Sequence, residues 1–233
     1  MKSHNTITLF KNFPVRNTLS DFIGRLFSRT FFWKRSLDVS SEIDLFGIRI
    51  KNVKMNEAVE LIVNPSAIGS PTRTACFVNT HSFNLAQKNS SLTGGINDSD
   101  YVFADGTGVR IAAQCFGFRL LDNVNGTDLL PPLCERTIEH GQSIYLLGAA
   151  PGVAKLAASE LSASFPGLKI AGTHHGFFEQ RNTHQVIEKI NQAKPDILLV
   201  ALGSPVQELW IQANKKFLDV NIAIAVGGLF DFY

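Results

Sequence analysis

The sequence predicts an α/β fold whose mostly parallel sheet is covered by helices on both faces. From residue 43 onwards, short apolar runs alternate with segments of helical periodicity, which is the order of elements in βαβ units. Gly148, Gly203 and Gly227 each follow such an apolar run, as is typical of a strand that turns towards a helix. The length of 233 residues suits one sizeable domain of this kind. We therefore expect a Rossmann-like sheet that binds its ligands beyond the carboxyl ends of the strands.

Strands and helices are predicted in near-strict alternation. The predicted strands are 74–78, 101–104, 144–147, 168–171, 197–202 and 222–226. The predicted helices are 82–89, 109–118, 127–140, 153–164, 183–193 and 206–217. A small strand pair is expected within 44–54, ahead of the main sheet.

Two of the helices carry signals for their first residues. Asn125 precedes the helix 127–140, in which Pro131 and Pro132 are tolerable only near the first turn. The last helix has the pattern of a capping box, with Ser204 at the N-cap, Pro205 at the first position and Gln207 at the third. Gln207 therefore has a structural role open to it as well as a ligand-binding one.

Residues 1–42 form a basic leader ahead of the domain at 43–233. Residues 1–38 hold seven Lys and Arg against two Asp, a net charge of +5, whereas the rest of the chain holds 15 Lys and Arg against 18 Asp and Glu, a net charge of −3. Apolar residues from Leu19 to Phe31 recur at helical spacing, and Ser20 is a suitable N-cap. This amphipathic helical extension is expected to lie on an anionic membrane surface. Packing against its own domain, or against a second subunit of a homo-oligomer, stays open as the alternative.

Composition excludes several classes of protein. No segment approaches the ~20 apolar residues of a membrane span, and the first residues lack a signal-peptide pattern. The mildly acidic domain has no aromatic and basic recognition motif, so nucleic acid is not an expected partner. Cys76, Cys115 and Cys134 are few and far apart, as is typical of free thiols. We expect a cytoplasmic protein, peripheral at the inner face of the cell membrane.

The most informative segment is Asp105-Gly106-Thr107-Gly108. A carboxylate here ends an apolar strand and directly precedes a glycine turn that opens a helix. Glycine lets the backbone approach a ligand, and the free N–H groups of a helix N-terminus favour phosphate. An acid beside a diphosphate pocket indicates group transfer, although a plain Asp-Gly turn remains an alternative.

A second glycine turn follows the strand 144–147. The segment from Leu147 to Ala154 could cradle a nucleotide diphosphate, or it could be a tight strand-to-helix turn. Its glycines, Gly148 and Gly152, have the spacing Gly-x-x-x-Gly, which is not the dinucleotide fingerprint, and the chain has no Walker motif. No redox cofactor is therefore expected.

Metal binding is not predicted at either of two suggestive motifs. Asp98 and Asp100 have the Asp-x-Asp spacing that holds a divalent metal in many nucleotide-sugar transferases, but they precede the strand that ends at Asp105 and so belong to the opposite edge of the sheet. His174 and His175 are adjacent and have no further ligands in the sequence around them.

Together these segments resemble the WecG/TagA/CpsF family of bacterial glycosyltransferases. The resemblance covers residue 43 to the end and depends on seven motifs in the family's order. They are Val78-Asn79 with the helix after it, Ala104 to Gly108, Asn125 to Leu129, Leu147 to Gly152, Gly172 to Phe178, Ala201 to Glu208 and Val226 to Asp231.

The resemblance implies an inverting enzyme of the bacterial cell envelope. Such an enzyme moves a sugar, often of the N-acetylmannosamine type or a related hexose, from a UDP-sugar to a polyprenyl-diphosphate-linked acceptor in surface polysaccharide synthesis, without an obligatory metal. Asp105 would be the general base. Backbone amides near Gly148 and Gly203 would stabilise the departing diphosphate. The implied substrate-binding residues are Asn79, Gly106, Gly108, Gly126, Asp128, Gly148, Phe177, Gly203, Gln207 and Asp231.

The sequence departs from the family at several positions. Phe77 stands where the family often has Thr, Asn123 where it often has Arg, and Val206 where it often has Lys, which would remove polar and cationic contacts to the ligand. The family also continues past the Phe-Asp segment with a basic tail that covers the site and docks on the membrane, whereas this sequence ends at Tyr233. Truncation, and a membrane contact made by the leader instead, are both open explanations.

Two further functions stay open at this stage. The departures leave room for a nucleotide-sugar-binding or scaffold protein with little or no turnover. A nicotinamide-dependent oxidoreductase would suit the fold pattern alone, but the missing fingerprint argues against it.

Overall fold

Six parallel strands form the central sheet of the computed structural model, which describes residues 37–65, 67 and 70–233. In chain order they are β3 (Arg73–Val78), β4 (Tyr101–Ala104), β5 (Ser143–Gly148), β6 (Lys169–His174), β7 (Ile197–Ala201) and β8 (Ile222–Ala225). Their order across the sheet is β4-β3-β8-β7-β5-β6, and every pairing is parallel. The predicted α/β class is thus confirmed. The leader helix with Ser20 lies outside the described residues.

A separate antiparallel pair precedes the main sheet. It consists of β1 (Glu42–Leu45) and β2 (Ile48–Lys51), which are joined by a turn at Phe46 and Gly47. This pair agrees with the small strand pair expected within 44–54.

Eight helices connect the strands of the described chain. They are α1 (Met55–Val63), α2 (Thr80–Ala86), α3 (Ser90–Asn97), α4 (Thr107–Cys115), α5 (Gly126–Glu139), α6 (Val153–Ser164), α7 (Thr183–Ala193) and α8 (Val206–Asn214). Short 3-10 segments lie at Gln180–Asn182, Lys215–Phe217 and Leu229–Phe232. Helices α1 and α3 were not among the predicted helices.

Each face of the sheet buries its own apolar core. Strand β7 illustrates the alternation, because Leu198 and Val200 join one core while Ile197 and Leu199 join the other. Helices α2, α3, α4, α7 and α8 cover the first face, and α1, α5 and α6 cover the second. Helices therefore lie on both faces, as predicted.

The prolines of α5 lie deeper in the helix than expected. Because α5 begins at Gly126, Pro131 and Pro132 occupy its second turn. Their missing N–H groups would have bonded the carbonyls of Thr127 and Asp128. Both of those residues are exposed, so water can hydrate their carbonyl groups, and the helix continues to Glu139. The restriction of these prolines to the first turn was wrong.

The capping box predicted for α8 is also absent. Pro205 is the N-cap residue and no side chain caps the helix. The Ser204 hydroxyl instead donates to Glu208 Oε1 at 2.5 Å, and Gln207 Oε1 accepts the N–H of Gly227 at 2.9 Å. Neither side chain caps the helix: Ser204 binds Glu208 instead, and Gln207 binds Gly227, which lies 20 residues further along the chain.

We expect Gly148→Ala to destabilise the fold more than Gly152→Ala, although both glycines have positive φ angles, 138° and 94°. A Cβ at position 148 would lie 2.2 Å from the carbonyl oxygen of Ala201, so backbone would have to move, whereas a Cβ at position 152 meets no atom within 4 Å. Gly152→Ala should cost only backbone strain, on the order of 1–3 kcal/mol. Equilibrium chemical unfolding measures both free energies, and equal losses would contradict this explanation.

Candidate active site

A cavity of about 270 Å³ opens at the carboxyl end of the sheet. Its walls come from the carboxyl ends of β3 and β8, from residues that follow β3, β4, β7 and β8, and from the first turns of α2, α5 and α8. Of the residues implied by the resemblance, four line it: Asn79, Asp105, Gly126 and Gln207. Among the other lining residues, Phe77 occupies a position where the sequence analysis expected the loss of a ligand contact. Sequence reasoning assigned no role in such a cavity to the rest: Ser82, Asn125, Thr127, Ser204, Ala225, Val226, Gly227, Gly228, Leu229 and Phe232.

Asp105 is the ionisable group of this cavity. Its backbone N–H donates to the carbonyl of Val78 at 3.0 Å, which continues the pairing of β3 and β4 by one residue. Gly106 then turns the chain with a φ of 95°, a conformation that glycine adopts without strain. The Gly106 N–H donates to Asn123 Oδ1 at 2.5 Å. The backbone of Asp105 is thus fixed before it by the pairing of β3 and β4 and after it by the hydrogen bond between Gly106 and Asn123.

Burial raises the pKa of Asp105 above its ordinary value. A side-chain hydrogen bond from Asn79 lowers this pKa, and the negative charge of Asp128 raises it again. A partly desolvated carboxylate of this kind binds a proton more readily than an exposed one does. These are the properties of a group that can accept a proton from a substrate.

Asn79 is held so that its amide faces Asp105. It is the N-cap of α2, and its Oδ1 accepts the backbone N–H of Ser82 at 3.0 Å and the Ser82 hydroxyl at 3.3 Å. With the oxygen engaged there, the opposite atom, Nδ2, lies 3.4 Å from Asp105 Oδ2. One side chain therefore starts a helix and donates a hydrogen bond to the candidate base.

Gln207 connects two of the cavity walls. Its side chain is 4% exposed and follows β7, whereas its partner Gly227 follows β8. The second partner is the adjacent Glu208, whose Oε1 accepts from Gln207 Nε2 at 2.9 Å. Both roles foreseen for Gln207, structural and ligand-facing, are thus compatible with its position.

The remaining implied residues are not among those that line the cavity. They are Gly106, Gly108, Asp128, Gly148, Phe177, Gly203 and Asp231. Gly108 allows close packing, since a Cβ there would lie 2.4 Å from the Thr80 methyl group. The Asp128 carboxylate accepts from Asn125 Nδ2 at 2.6 Å. Phe177 is 73% exposed on the loop after β6.

Two of the three family departures have a clear structural setting. Phe77 contributes an aromatic wall to the cavity, and the centroid of its ring lies 5.8 Å from the centroid of the Phe103 ring. Asn123 tethers Gly106, the residue directly after Asp105, as described above. Val206 is 55% exposed on the first turn of α8 and has no described role.

The two suggestive metal motifs make structural contacts. Asp100 Oδ2 accepts from the backbone and the hydroxyl of Thr74 at 2.7 and 3.2 Å, at the amino edge of the sheet. His174 Nδ1 lies 2.8 Å from the carbonyl of His175, and His175 Nδ1 accepts the N–H of Phe177 at 3.2 Å. Within the part of the chain that the structure describes, no three His, Cys, Asp or Glu side chains form a group that could hold a metal ion.

Among the described helices, none has the length and apolar character that crossing a bilayer requires.

Comparison with known proteins identifies the chain's relatives. The model of the glycosyl transferase WecG/TagA/CpsF family matches residues 43–233. The chain is 27% identical over 195 residues to the N-acetylglucosaminyldiphosphoundecaprenol N-acetyl-beta-D-mannosaminyltransferases of Staphylococcus aureus strains NCTC 8325 / PS 47 and COL. The matched region covers 83% of this chain and 76% of each relative.

We expect Asp105→Asn to raise the melting temperature at neutral pH, because the neutral amide avoids the desolvation that raises the pKa of Asp105. A carboxyl whose pKa is raised by folding destabilises the folded state only when it is ionised, so the gain should shrink as the pH falls towards the ordinary pKa of 3.8. Thermal unfolding followed by circular dichroism across pH measures this difference. The exposed Asp219→Asn is the control and should change the melting temperature little. A lower melting temperature for Asp105→Asn at neutral pH would instead assign Asp105 a structural role.

Proposed function

The chain belongs to the WecG/TagA/CpsF family of glycosyltransferases, and we propose that it transfers a sugar of the N-acetylmannosamine type, or a related hexose, from a UDP-sugar to a polyprenyl-diphosphate-linked acceptor. The names of its relatives describe a transfer of this kind. The observation that carries the proposal is Asp105, a carboxylate of raised pKa in the wall of a polar cavity at the carboxyl end of the sheet. The product would enter surface polysaccharide synthesis of the bacterial cell envelope.

In the proposed reaction Asp105 acts as general base. Its carboxylate takes the proton from the acceptor hydroxyl while that oxygen bonds to the anomeric carbon of the sugar. The bond from the anomeric carbon to the diphosphate breaks at the same time, and UDP leaves from the opposite face with the electron pair. The configuration at the anomeric carbon is therefore inverted. The raised pKa of Asp105 supports this role because it makes the group a better proton acceptor.

The departing diphosphate needs hydrogen-bond donors for its growing negative charge. The amino end of α5 is the best supported source, because Gly126 and Thr127 line the cavity and the first N–H groups of a helix have no partners within it. The N–H of Asp128 is already taken by Asn125 Oδ1 at 2.8 Å. Gly148 and Gly203, the two donor sites expected from the sequence, are not among the lining residues, and Gly148 packs closely on Ala201.

The proposed acceptor is lipid-linked, and we therefore propose a peripheral position at the cytoplasmic face of the membrane. The net charge of +5 in residues 1–38 supports attraction of the leader to anionic headgroups. The division into a leader at 1–42 and a glycosyltransferase domain at 43–233 is part of the same proposal.

We expect Asp105→Asn to lower product formation by roughly 100-fold or more, the usual contribution of a general base, while UDP binding is retained. A product assay with a UDP-sugar and a lipid-linked acceptor measures transfer, and calorimetry with UDP measures binding. Asp219→Asn again serves as the matched control on the surface. Equal loss of binding and transfer would argue against a base. If the unmodified protein bound UDP but formed no product on any lipid-linked acceptor, the scaffold function would be favoured instead.

The pH dependence of transfer should depend on Asn79. Activity requires ionised Asp105 and should fall as the pH drops through its raised pKa. Asn79→Ser keeps an oxygen that can cap α2 but is too short to donate to Asp105, so the pKa of Asp105 should rise further. The acid limb of kcat/KM should therefore move to higher pH in this variant. An acid limb that stays in place would show that Asn79 does not tune the base.

A further inference from the structure

The proposed reaction leaves one buried carboxylate without a role. Glu208, on the first turn of α8, is 4% exposed. Its Oε1 accepts from the Ser204 hydroxyl at 2.5 Å and from Gln207 Nε2 at 2.9 Å, whereas Oε2 is buried and has no hydrogen-bond partner among the described residues. A buried carboxylate oxygen without a donor is unfavourable for the folded state. This arrangement therefore calls for an explanation other than stability.

We infer that Glu208 is a positioning residue that fixes the carboxamide of Gln207, so that Gln207 offers an N–H donor to an acceptor oxygen of UDP. The inference rests on the proposed function, because it takes UDP as the occupant of the cavity. Glu208 itself does not line the cavity and acts through its neighbour.

The orientation of the Gln207 carboxamide follows from its partners. The backbone N–H of Gly227 can only donate, so the Gln207 atom that lies 2.9 Å from it is the oxygen. The other atom is then the nitrogen, which lies 2.9 Å from Glu208 Oε1. Gly227 alone would leave this terminal torsion loosely defined, because rotation about such a bond has broad minima. The second contact, to Glu208, restricts that rotation.

The nitrogen keeps one hydrogen for a ligand. A carboxamide has two N–H donors, and Glu208 is the one acceptor of Gln207 Nε2 among the described residues. Gln207 lines the cavity beside Ser204 and Gly227. UDP has suitable acceptor oxygens on both its uracil and its diphosphate. The side chain is thus prepared for a hydrogen-bond acceptor before the ligand arrives, which limits the rotational freedom lost on binding.

The experiment compares four variants and one control variant by calorimetry with UDP. Gln207→Ala and Glu208→Met should each weaken UDP binding, by about tenfold for the loss of a hydrogen bond to the ligand. Glu208→Gln should bind like the unmodified protein, because its carboxamide oxygen can accept the same two hydrogen bonds. In the double variant Gln207→Ala with Glu208→Met, the second change should add nothing, since Glu208 acts through Gln207. Gln142→Met is the control for a lost buried amide, because Gln142 binds the carbonyl of Val63 outside the cavity.

A parallel titration with uridine separates the two sources of acceptor oxygens. A matching loss of uridine affinity in Gln207→Ala assigns the contact to the nucleoside, and a loss confined to UDP assigns it to the diphosphate. Additive effects in the double variant, or equal weakening by Glu208→Gln and Glu208→Met in folded protein, would overturn the inference.

A second measurement does not depend on the ligand. Hydrogen exchange of the Gly227 amide, followed by NMR, should be faster in Glu208→Met than in the unmodified protein and unchanged in Glu208→Gln. If the unmodified protein bound no UDP but showed this exchange pattern, the nucleotide-sugar function would fail while the positioning role of Glu208 stood. Unchanged exchange of the Gly227 amide in Glu208→Met would overturn the positioning role itself, whatever the result of the UDP titrations.

Discussion

The insertion of β8 between β3 and β7 is the constraint on which the rest of the structure depends. Without β8, the pair β4-β3 and the trio β7-β5-β6 would share no strand contact. All four residues of β8 are buried, so apolar burial on both faces holds this last strand in the centre of the sheet. The residues that follow it, Val226 and Gly227, form part of the cavity wall. The insertion of β8 therefore both joins the two parts of the sheet and places Val226 and Gly227 in the candidate site.

The site holds groups that do not favour the folded state. Asp105 is partly desolvated, and Glu208 has a buried oxygen without a donor. Each is held by side-chain hydrogen bonds, through Asn79 in the first case and through Ser204 and Gln207 in the second. The apolar cores on the two faces of the sheet offset these unfavourable terms. A carboxylate that is poised to accept a proton has this character in many enzymes, because burial is what raises its pKa.

Sequence patterns located all six strands of the main sheet and missed two of the described helices, α1 and α3. Strand β6 extends to His174, three residues beyond its apolar run, because the edge strand continues to pair with β5 through polar residues. Helix α3 contains Gly94 and Gly95, which are poor helix formers, and it depends on its Asn89 cap and on buried Leu92 and Ile96. Helix α1 has an apolar face at helical spacing, formed by Ala58, Val59, Ile62 and Val63, and this pattern was sufficient to predict it.

The sequence by itself determined the parallel α/β class, the strand-end position of Asp105 and the exclusion of the Asp98 and Asp100 pair from that edge. These features are local, because apolar periodicity and strand direction are contained within short segments. Only the tertiary structure decided that Gln207 binds Gly227 and that Ser204 binds Glu208 instead of capping α8. The capping pattern and the long-range contact to Gly227 compete for one atom, the side-chain oxygen of Gln207, whereas the contact of Ser204 reaches only four residues along the chain. The contact of Gln207 therefore depends on where β8 is inserted, which no short segment specifies.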